Sequence, residues 1–177
     1  MATPPTFTNG TALDASSLSA VGLWLVKAQT VGTGVSSVTV SNAFSADYAD
    51  YRIVISGVDF STSGISWQLQ VGSANANYYG SSYYDLYTGA TTGTVRTNNG
   101  TALYFGVSDI DNASAAMDIS RPHLSTQTNF HGNFYGSGFS GWASGSHAAN
   151  TSHTSFTLIA PAGTMTGGTI RVYGYRN

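Results

Sequence analysis

The side chains best suited to ligand chemistry are aromatic residues set among serine, threonine, asparagine and glycine. Trp142 and Phe139 lie in the segment GNFYGSGFSGWASGSHAAN, and Tyr78 and Tyr79 begin a tyrosine-rich segment. Aromatic faces stack on sugar rings, and the same residue types anchor protein interfaces. We therefore expect these four side chains to contact a glycan or another subunit. For the tyrosines that follow, packing in the core is the favoured alternative: Tyr83, Tyr84 and Tyr87.

The ionisable residues form no recognisable catalytic or zinc-binding pattern. No zinc-binding helix motif matches the spacing of the four histidines, His123, His131, His147 and His153, and the usual co-ligands Glu and Cys are absent. We expect surface or hydrogen-bonded histidines, with His131 at the edge of the core. A glycosidase needs two carboxyl groups facing one cleft, and the scattered aspartates show no such signature. The expectation is a non-enzymatic protein without cofactor or metal.

Two further patterns resemble binding motifs. Asp109, Asp111 and Asn112 resemble the start of a calcium loop, but the Gly and the terminal Glu of an EF-hand are missing. A turn that closes the preceding strand explains the same residues. Residues 136–141 match G-x-G-x-x-G, but the sequence Trp-Ala-Ser-Gly that follows cannot begin the helix of a dinucleotide site. We expect a turn at Asp109 and no nucleotide site.

The composition excludes several classes of partner. Charged residues make up 8% of the 177 residues, and the formal net charge is −2. Nucleic acid is not an expected partner, because neutralising phosphates requires clustered Lys and Arg. The longest apolar stretch ends at Lys27, far short of the ~20 residues that span a bilayer. The first residues show no signal-peptide pattern. We expect neither membrane insertion nor a secretion signal.

Period-two alternation of apolar and polar residues predicts strands. Residues 65–71 alternate Ile, Trp, Leu and Val with Ser and Gln, and residues 51–56 alternate similarly. About ten short strands separated by turn signals predict an all-β fold, an antiparallel two-sheet sandwich of jelly-roll type. Asn99–Gly100 predicts a tight hairpin with positive φ. The other predicted strands are Leu23–Ala28, Val35–Val40, Ser82–Thr88, Ala102–Val107, Ala115–Ser120, Thr128–Tyr135, Thr154–Ile159 and Thr169–Tyr175.

Three parts of the chain depart from this pattern. The segments Gly72–Thr101 and Gly132–Asn150 are predicted to be largely irregular, and loops of such length usually carry function. Residues 1–20 are predicted to form an N-terminal arm, in which Pro4–Pro5 prevents regular structure and Asp14 caps one short helix. Residues 21–177 then form a single β-sandwich domain, which is long enough to bury a substantial core.

The two ends of the chain carry a family resemblance. Residues Phe7–Leu18 read FTNGTALDASSL. They are similar to the N-terminal attachment segments of tailed-bacteriophage fibre and other virion proteins, in which F-x-N-G-x-x-L-x-A-x-x-L precedes a variable β-rich part. The closing segment Gly168–Arg176 resembles the last strand of phage tail and structural proteins. The resemblance is confined to these two segments.

The resemblance implies a virion component, usually oligomeric and often trimeric, that serves attachment or shell decoration. The expected function is that of a non-enzymatic structural protein of a tailed phage particle, in the tail, a fibre or the head decoration, which contributes to host attachment. Phe7, Leu13 and Leu18 are the expected anchors of the arm on other virion proteins, and a homotrimer is the favoured assembly. The alternative is a carbohydrate-binding module that uses loop aromatics such as Trp142. A small glycosidase is a third interpretation.

Overall fold

The computed structural model describes residues 22–89 and 92–175, which form thirteen β-strands and no helix. Accordingly, no helix in these two ranges has the length and apolar character to cross a membrane. The all-β prediction is confirmed. The strands are β1 Leu23–Thr30, β2 Ser37–Val40, β3 Asp50–Phe60, β4 Ser66–Val71, β5 Tyr78–Leu86, β6 Thr92–Gly100, β7 Leu103–Val107, β8 Ala113–Ser120, β9 Thr128–Tyr135, β10 Phe139–His147, β11 Phe156–Ile159, β12 Met165–Thr166 and β13 Thr169–Tyr175.

The strands form two antiparallel sheets packed as a sandwich. Neighbours in the large sheet follow the order β1-β13-β3-β8-β9-β10-β5-β6, and β12 pairs with β3. The small sheet has the order β2-β11-β4-β7. Without β12 and the hairpins β5–β6 and β9–β10, eight strands remain. Numbered in chain order, they lie as 1-8-3-6 in the large sheet and 2-7-4-5 in the small sheet. This order is that of a jelly roll.

Alternating burial explains why these segments are strands. In β4 every second side chain is buried, and β3 follows the same alternation on either side of a bulge between Ile55 and Val58. The cause is that successive residues of a strand point to opposite faces. The predicted alternation is therefore confirmed. The buried residues of these two strands include Tyr51, Ile53, Ile55, Trp67, Leu69 and Val71.

A chain of aromatic rings joins the middle of the sandwich to the added hairpin β9–β10. The ring of Trp67 lies 5.3 Å from that of Phe60 and 5.8 Å from that of Phe105. Phe105 contacts Phe134 of β9 at 6.3 Å, and Phe134 contacts Phe139 of β10 at 6.2 Å. Such tilted and edge-on contacts are the favoured geometries of aromatic pairs. This hairpin therefore shares the core of the jelly roll.

Two facing glycines let the small sheet approach the two added hairpins closely. Gly80 of β5 pairs with Gly145 of β10, and β7 packs against both strands. A Cβ atom on Gly145 would lie 2.5 Å from the Tyr79 carbonyl oxygen and 2.6 Å from Cδ1 of Leu103. A Cβ atom on Gly80 would lie 2.7 Å from the same methyl group. Any residue larger than glycine at position 80 or 145 would therefore collide with Leu103.

The prediction of two long irregular segments is wrong. Strands β5 and β6 occupy most of Gly72–Thr101, and β10 with the end of β9 occupies most of Gly132–Asn150. The glycine residues in these two segments favour loops when the sequence is considered alone. In these strands they instead permit close contact between backbones and neighbouring side chains.

The hairpin predicted at Asn99–Gly100 is also wrong, although Asn99 does have a positive φ of 51°. These residues end β6 in the large sheet, and the next strand, β7, belongs to the small sheet. The chain therefore crosses between sheets here. The predicted arm of residues 1–20, its short helix and its anchors Phe7, Leu13 and Leu18 lie outside the described residues.

Replacing Gly145 with alanine tests the close contact between the sheets. Gly145→Ala is expected to lower the free energy of unfolding by about 1–3 kcal/mol, because the added methyl group meets backbone and Leu103. Urea denaturation measures the change. The matched control is Gly138→Ala, since a Cβ atom there has no neighbour within 4 Å. The control is expected to stay within about 0.5 kcal/mol of the wild type, and equal stability of both variants would contradict the packing described.

Candidate functional site

The solvent-facing side of the large sheet, called the outer face below, gathers the polar and aromatic side chains that could bind a ligand. The pattern of burial in β9 places His131 and Asn133 on this face, while Phe130 and Phe134 point into the core. In β10, Trp142 and Ser144 lie on the same face. The face is therefore built from strands, and its side chains are held by backbone pairing on both sides.

Strand register aligns these side chains in rows across the sheet. Arg52 of β3 faces Asp118 of β8, Asp118 faces His131, and His131 faces Ser144. These four residues are called the polar row. The neighbouring row contains Asn133, Trp142 and Tyr83, in that order. Side chains two residues apart on one strand are separated by about 6.7 Å, so the two rows lie side by side.

Trp142 is the large aromatic side chain at the centre of the outer face. It is 52% exposed. Its ring stacks on that of Tyr83, with the centroids 5.7 Å apart and the planes inclined by 22°. Directly opposed side chains in an antiparallel pair interact in this way. The stacking holds the indole in one orientation and leaves its remaining surface open to solvent.

Asp118 is the centre of a charged hydrogen-bond cluster in the polar row. The Tyr175 hydroxyl donates to Oδ1 of Asp118 at 2.6 Å, and a terminal guanidinium nitrogen of Arg52 donates to Oδ2 at 3.3 Å. The Nε2 atom of His131 lies 3.6 Å from Oδ2. Burial and the hydrogen bond to Asp118 raise the pKa of Tyr175. The cluster therefore fixes one carboxylate and one guanidinium beside each other at the surface.

Between the polar row and Trp142 lies a shallow cavity of about 440 Å³, called the Trp142 cavity. Ala116 contributes a small side chain to its lining, and the larger side chains are Arg52, Asp118, His131, Asn133 and Trp142. A second cavity of about 380 Å³ shares Asn133 and Trp142 and continues to Tyr83, Asp85 and Tyr135. An exposed ring beside paired donors and acceptors suits a ligand with one apolar face and a polar edge.

The chain matches no protein-family model, no curated protein and no solved structure. The candidate functions therefore depend on the residues themselves.

Of the four aromatic residues that were predicted to contact a glycan or a subunit, two are exposed and two are buried. Trp142 and Tyr79 are exposed, although both lie on strands and not in loops. Their contact with a partner stays a prediction. Tyr78 and Phe139 are buried, so for these two the prediction is wrong. Arg52, Asp118 and Asn133 were not predicted, because only the register of four strands brings them to Trp142.

The buried tyrosine has a structural task. The Tyr78 hydroxyl accepts a hydrogen bond of 2.8 Å from the Val71 backbone nitrogen, which links the large sheet to the small one. Burial raises the pKa of Tyr78 to about 12, and the hydrogen bond with Val71 acts in the opposite direction. Tyr78 is therefore neutral at physiological pH.

Asp109 stabilises the turn between β9 and β10, which is not the turn after its own preceding strand that the sequence predicts. Its Oδ2 atom accepts hydrogen bonds from the Ser137 hydroxyl at 2.8 Å and from the Gly138 backbone nitrogen at 3.1 Å. Burial raises the pKa of Asp109, but the hydrogen bonds from Ser137, Gly138 and Ile110 outweigh it and the net shift is downward. Among the described residues, no group of three or more acidic or histidine side chains could hold a metal ion. The carboxylate of Asp109 thus pins the turn between β9 and β10.

Two histidines face each other beside a third cavity. This cavity, of about 640 Å³, lies between residues 72–77 and residues 149–155. Nδ1 of His147 and Nε2 of His153 are 3.2 Å apart, and both side chains are buried. Burial lowers the pKa of both histidines, and the charge on His147 lowers that of His153 further. His131, predicted at the edge of the core, is instead 69% exposed on the outer face.

The histidine pair predicts how stability depends on pH. Among the described residues, no acid or base other than these two lines the cavity, so a proton on either imidazole has no counter-charge there. Because both pKa values are lower in the fold than the ordinary value of 6.5, the unfolded chain takes up protons first as pH falls. Stability is full above about pH 6.5 and decreases below it, by up to about 1.4 kcal/mol per pH unit for each neutral histidine.

Urea midpoints measured from about pH 8 to about pH 5 check this dependence. His147→Gln is expected to flatten the curve, because one uncompensated protonation is removed. The exposed His131→Gln is the matched control and is expected to keep the wild-type slope. An unchanged slope in His147→Gln would show that the pair does not determine the acid response.

Proposed function

We propose that the chain is a non-enzymatic virion component of a tailed bacteriophage, which attaches to the particle through residues 1–20 and presents the jelly roll outside. The observation that carries this proposal is an attachment-like phrase, Phe7–Leu18, in front of a jelly-roll domain. Jelly rolls recur in viral capsid proteins and in lectins. Of these two, the use in viral particles agrees with the resemblance of the terminal segments to phage proteins.

The surface chemistry supports the same proposal. Only 8% of the residues are charged, and the outer side of β9 and β10 carries hydroxyl, amide, imidazole and aromatic groups. Such a surface gives little electrostatic repulsion between copies. Closed cyclic assemblies are the usual result when identical chains associate. The proposal therefore includes a homo-oligomer, with a trimer favoured, and contacts from Phe7, Leu13 and Leu18 to other virion proteins.

Removing residues 1–20 tests the attachment role. The shortened chain is expected to keep its β-rich circular dichroism spectrum, because the described core lies within residues 22–175. It is also expected to disappear from purified particles, as judged by mass spectrometry of particles grown with only the shortened gene. The matched control keeps the arm and carries Trp142→Ala, which leaves the attachment segment intact. Normal incorporation of the shortened chain would contradict the docking role.

Carbohydrate binding is the second candidate, and the exposed Trp142, which stacks on the half-buried Tyr83, favours it. An aromatic side chain fixed on a sheet face offers contact area at low entropic cost. The two candidates are compatible, because a virion protein that touches host polysaccharide needs both properties.

A glycan array probed with the wild type and with Trp142→Ala tests this second candidate. The wild type is expected to bind a subset of glycans, and Trp142→Ala is expected to lose more than about 1 kcal/mol of binding free energy for those glycans. Tyr87→Ala is a matched control, because Tyr87 is a 59% exposed aromatic residue that lines neither cavity beside Trp142. Equal binding by all three proteins would contradict a role for Trp142.

A further inference from the structure

We propose that the Trp142 cavity binds one neutral pyranose ring of a glycan, with the ring face on Trp142 and its hydroxyl edge on Arg52, Asp118, His131 and Asn133. This inference rests on the carbohydrate-binding candidate above and adds the ligand class and the polar half of the site. The order of the side chains across the sheet carries it.

The size of the site fits a single ring. The polar row and the row of Asn133 and Trp142 are two residues apart along their strands, which corresponds to about 6.7 Å. Ala116 lies between Val54 and Asn133 in the row that continues to Trp142, and its side chain is smaller than those of Val54 and Asn133. It leaves a depression in the outer face, and the cavity of about 440 Å³ occupies that position.

The polar groups match the bonding of sugar hydroxyls. A hydroxyl group both donates and accepts hydrogen bonds. Arg52 and Asp118, whose side chains approach to 3.3 Å, offer a donor and an acceptor side by side. The exposed Asn133 amide offers both in one group, and the imidazole of His131 lies next to them in the cavity. Hydroxyls on one edge of a ring can therefore bond to several fixed partners at once.

The charges select a neutral ring. One positive side chain, Arg52, lies beside one negative side chain, Asp118, so their formal charges cancel. Asp85 lines the adjoining cavity and adds negative charge on the other side of Trp142. A carboxylate-bearing sugar would meet this negative charge, whereas a neutral hexose would not. Charge complementarity therefore disfavours uronic acids.

The lining also favours binding without cleavage. Glycosidases place two carboxyl groups on either side of the scissile bond. Asp118 is the single carboxylate among the described residues that line the Trp142 cavity. It already accepts hydrogen bonds from Tyr175 and Arg52, which fix its position, and its oxygens can accept a further hydrogen bond from a hydroxyl group.

Titration of the full chain with simple sugars, followed by NMR, tests the inference. The probes are the methyl pyranosides of glucose, galactose and mannose, with methyl glucuronoside as the charged comparison. At least one neutral pyranoside is expected to shift the NMR signal of the Trp142 indole, with a Kd of about 1 mM. The absence of this signal in Trp142→Ala assigns it. The glucuronoside is expected to bind at least about tenfold more weakly. Tighter binding of the glucuronoside would overturn the neutral class.

Two variants test the polar half of the site. Asn133→Ala and Asp118→Asn are each expected to weaken binding by about tenfold or more, because the first removes a hydrogen-bond partner of the ring and the second replaces a charged acceptor oxygen with an amide NH2 group. Asn129→Ala is the matched control, since Asn129 is exposed on the same strand and lies outside the cavity. If Asp118→Asn fails to fold, as its amide spectrum would show, Asn133→Ala decides the question.

The outcomes separate this inference from the function on which it rests. If Trp142→Ala loses glycan binding while Asn133→Ala and Asp118→Asn bind like the wild type, the carbohydrate-binding candidate stands and the Trp142 cavity is not the site. If no glycan binds to the wild-type chain, both fall together. Loss of binding in both polar variants with retention in Asn129→Ala supports the proposed ring site.

Discussion

Packing of β7 on the inner side of the added hairpins is the constraint on which the outer face depends. A jelly roll needs only four strands in each sheet, so β9, β10, β5 and β6 extend one sheet beyond its partner. Their inner side would be exposed without a cover. Leu103 lies against the facing glycines, and Phe105 contacts Phe134, so β7 buries that side. Only then can β9 and β10 present Asn133 and Trp142 to solvent in a fixed register.

The parts of the fold that the sequence predicts are those with apolar side chains at every second position. Strands β9 and β13 were predicted with the observed bounds, because aromatic or β-branched residues mark their buried side. Strands β6 and β10 give no such signal, and in β5 only residues 82–86 fall within a predicted strand, Ser82–Thr88. In β10, for example, Ala143 and the glycines carry the inner side. When the inward-facing side chains of a strand are small, its sequence resembles that of a loop. For this reason the sequence predicts irregular structure in both segments.

The candidate site shows a second limit, which is register. Trp142 could be identified from its residue type alone, but the burial of Tyr78 and Phe139 depends on which side of a strand each residue occupies. A shift of one residue reverses that side. The partnership of Arg52 with Asp118 joins residues 66 positions apart in the chain, and only the pairing of β3 with β8 brings them together. A site of this kind depends on the pairing of strands that are distant in the chain, so the local sequence does not reveal it.

The placement of the site on strands also bears on what it can recognise. Backbone pairing on both sides holds Trp142, and Tyr83 fixes its ring. Binding then costs little ordering of the protein, which matters for a small ligand that buries little surface. A rigid sugar ring suits such a preformed surface, whereas a flexible peptide would lose more conformational entropy on the same area. In the proposed homo-oligomer, repetition of this site would combine weak single contacts into a much tighter multivalent contact, which the proposed attachment of a virion to a host surface requires.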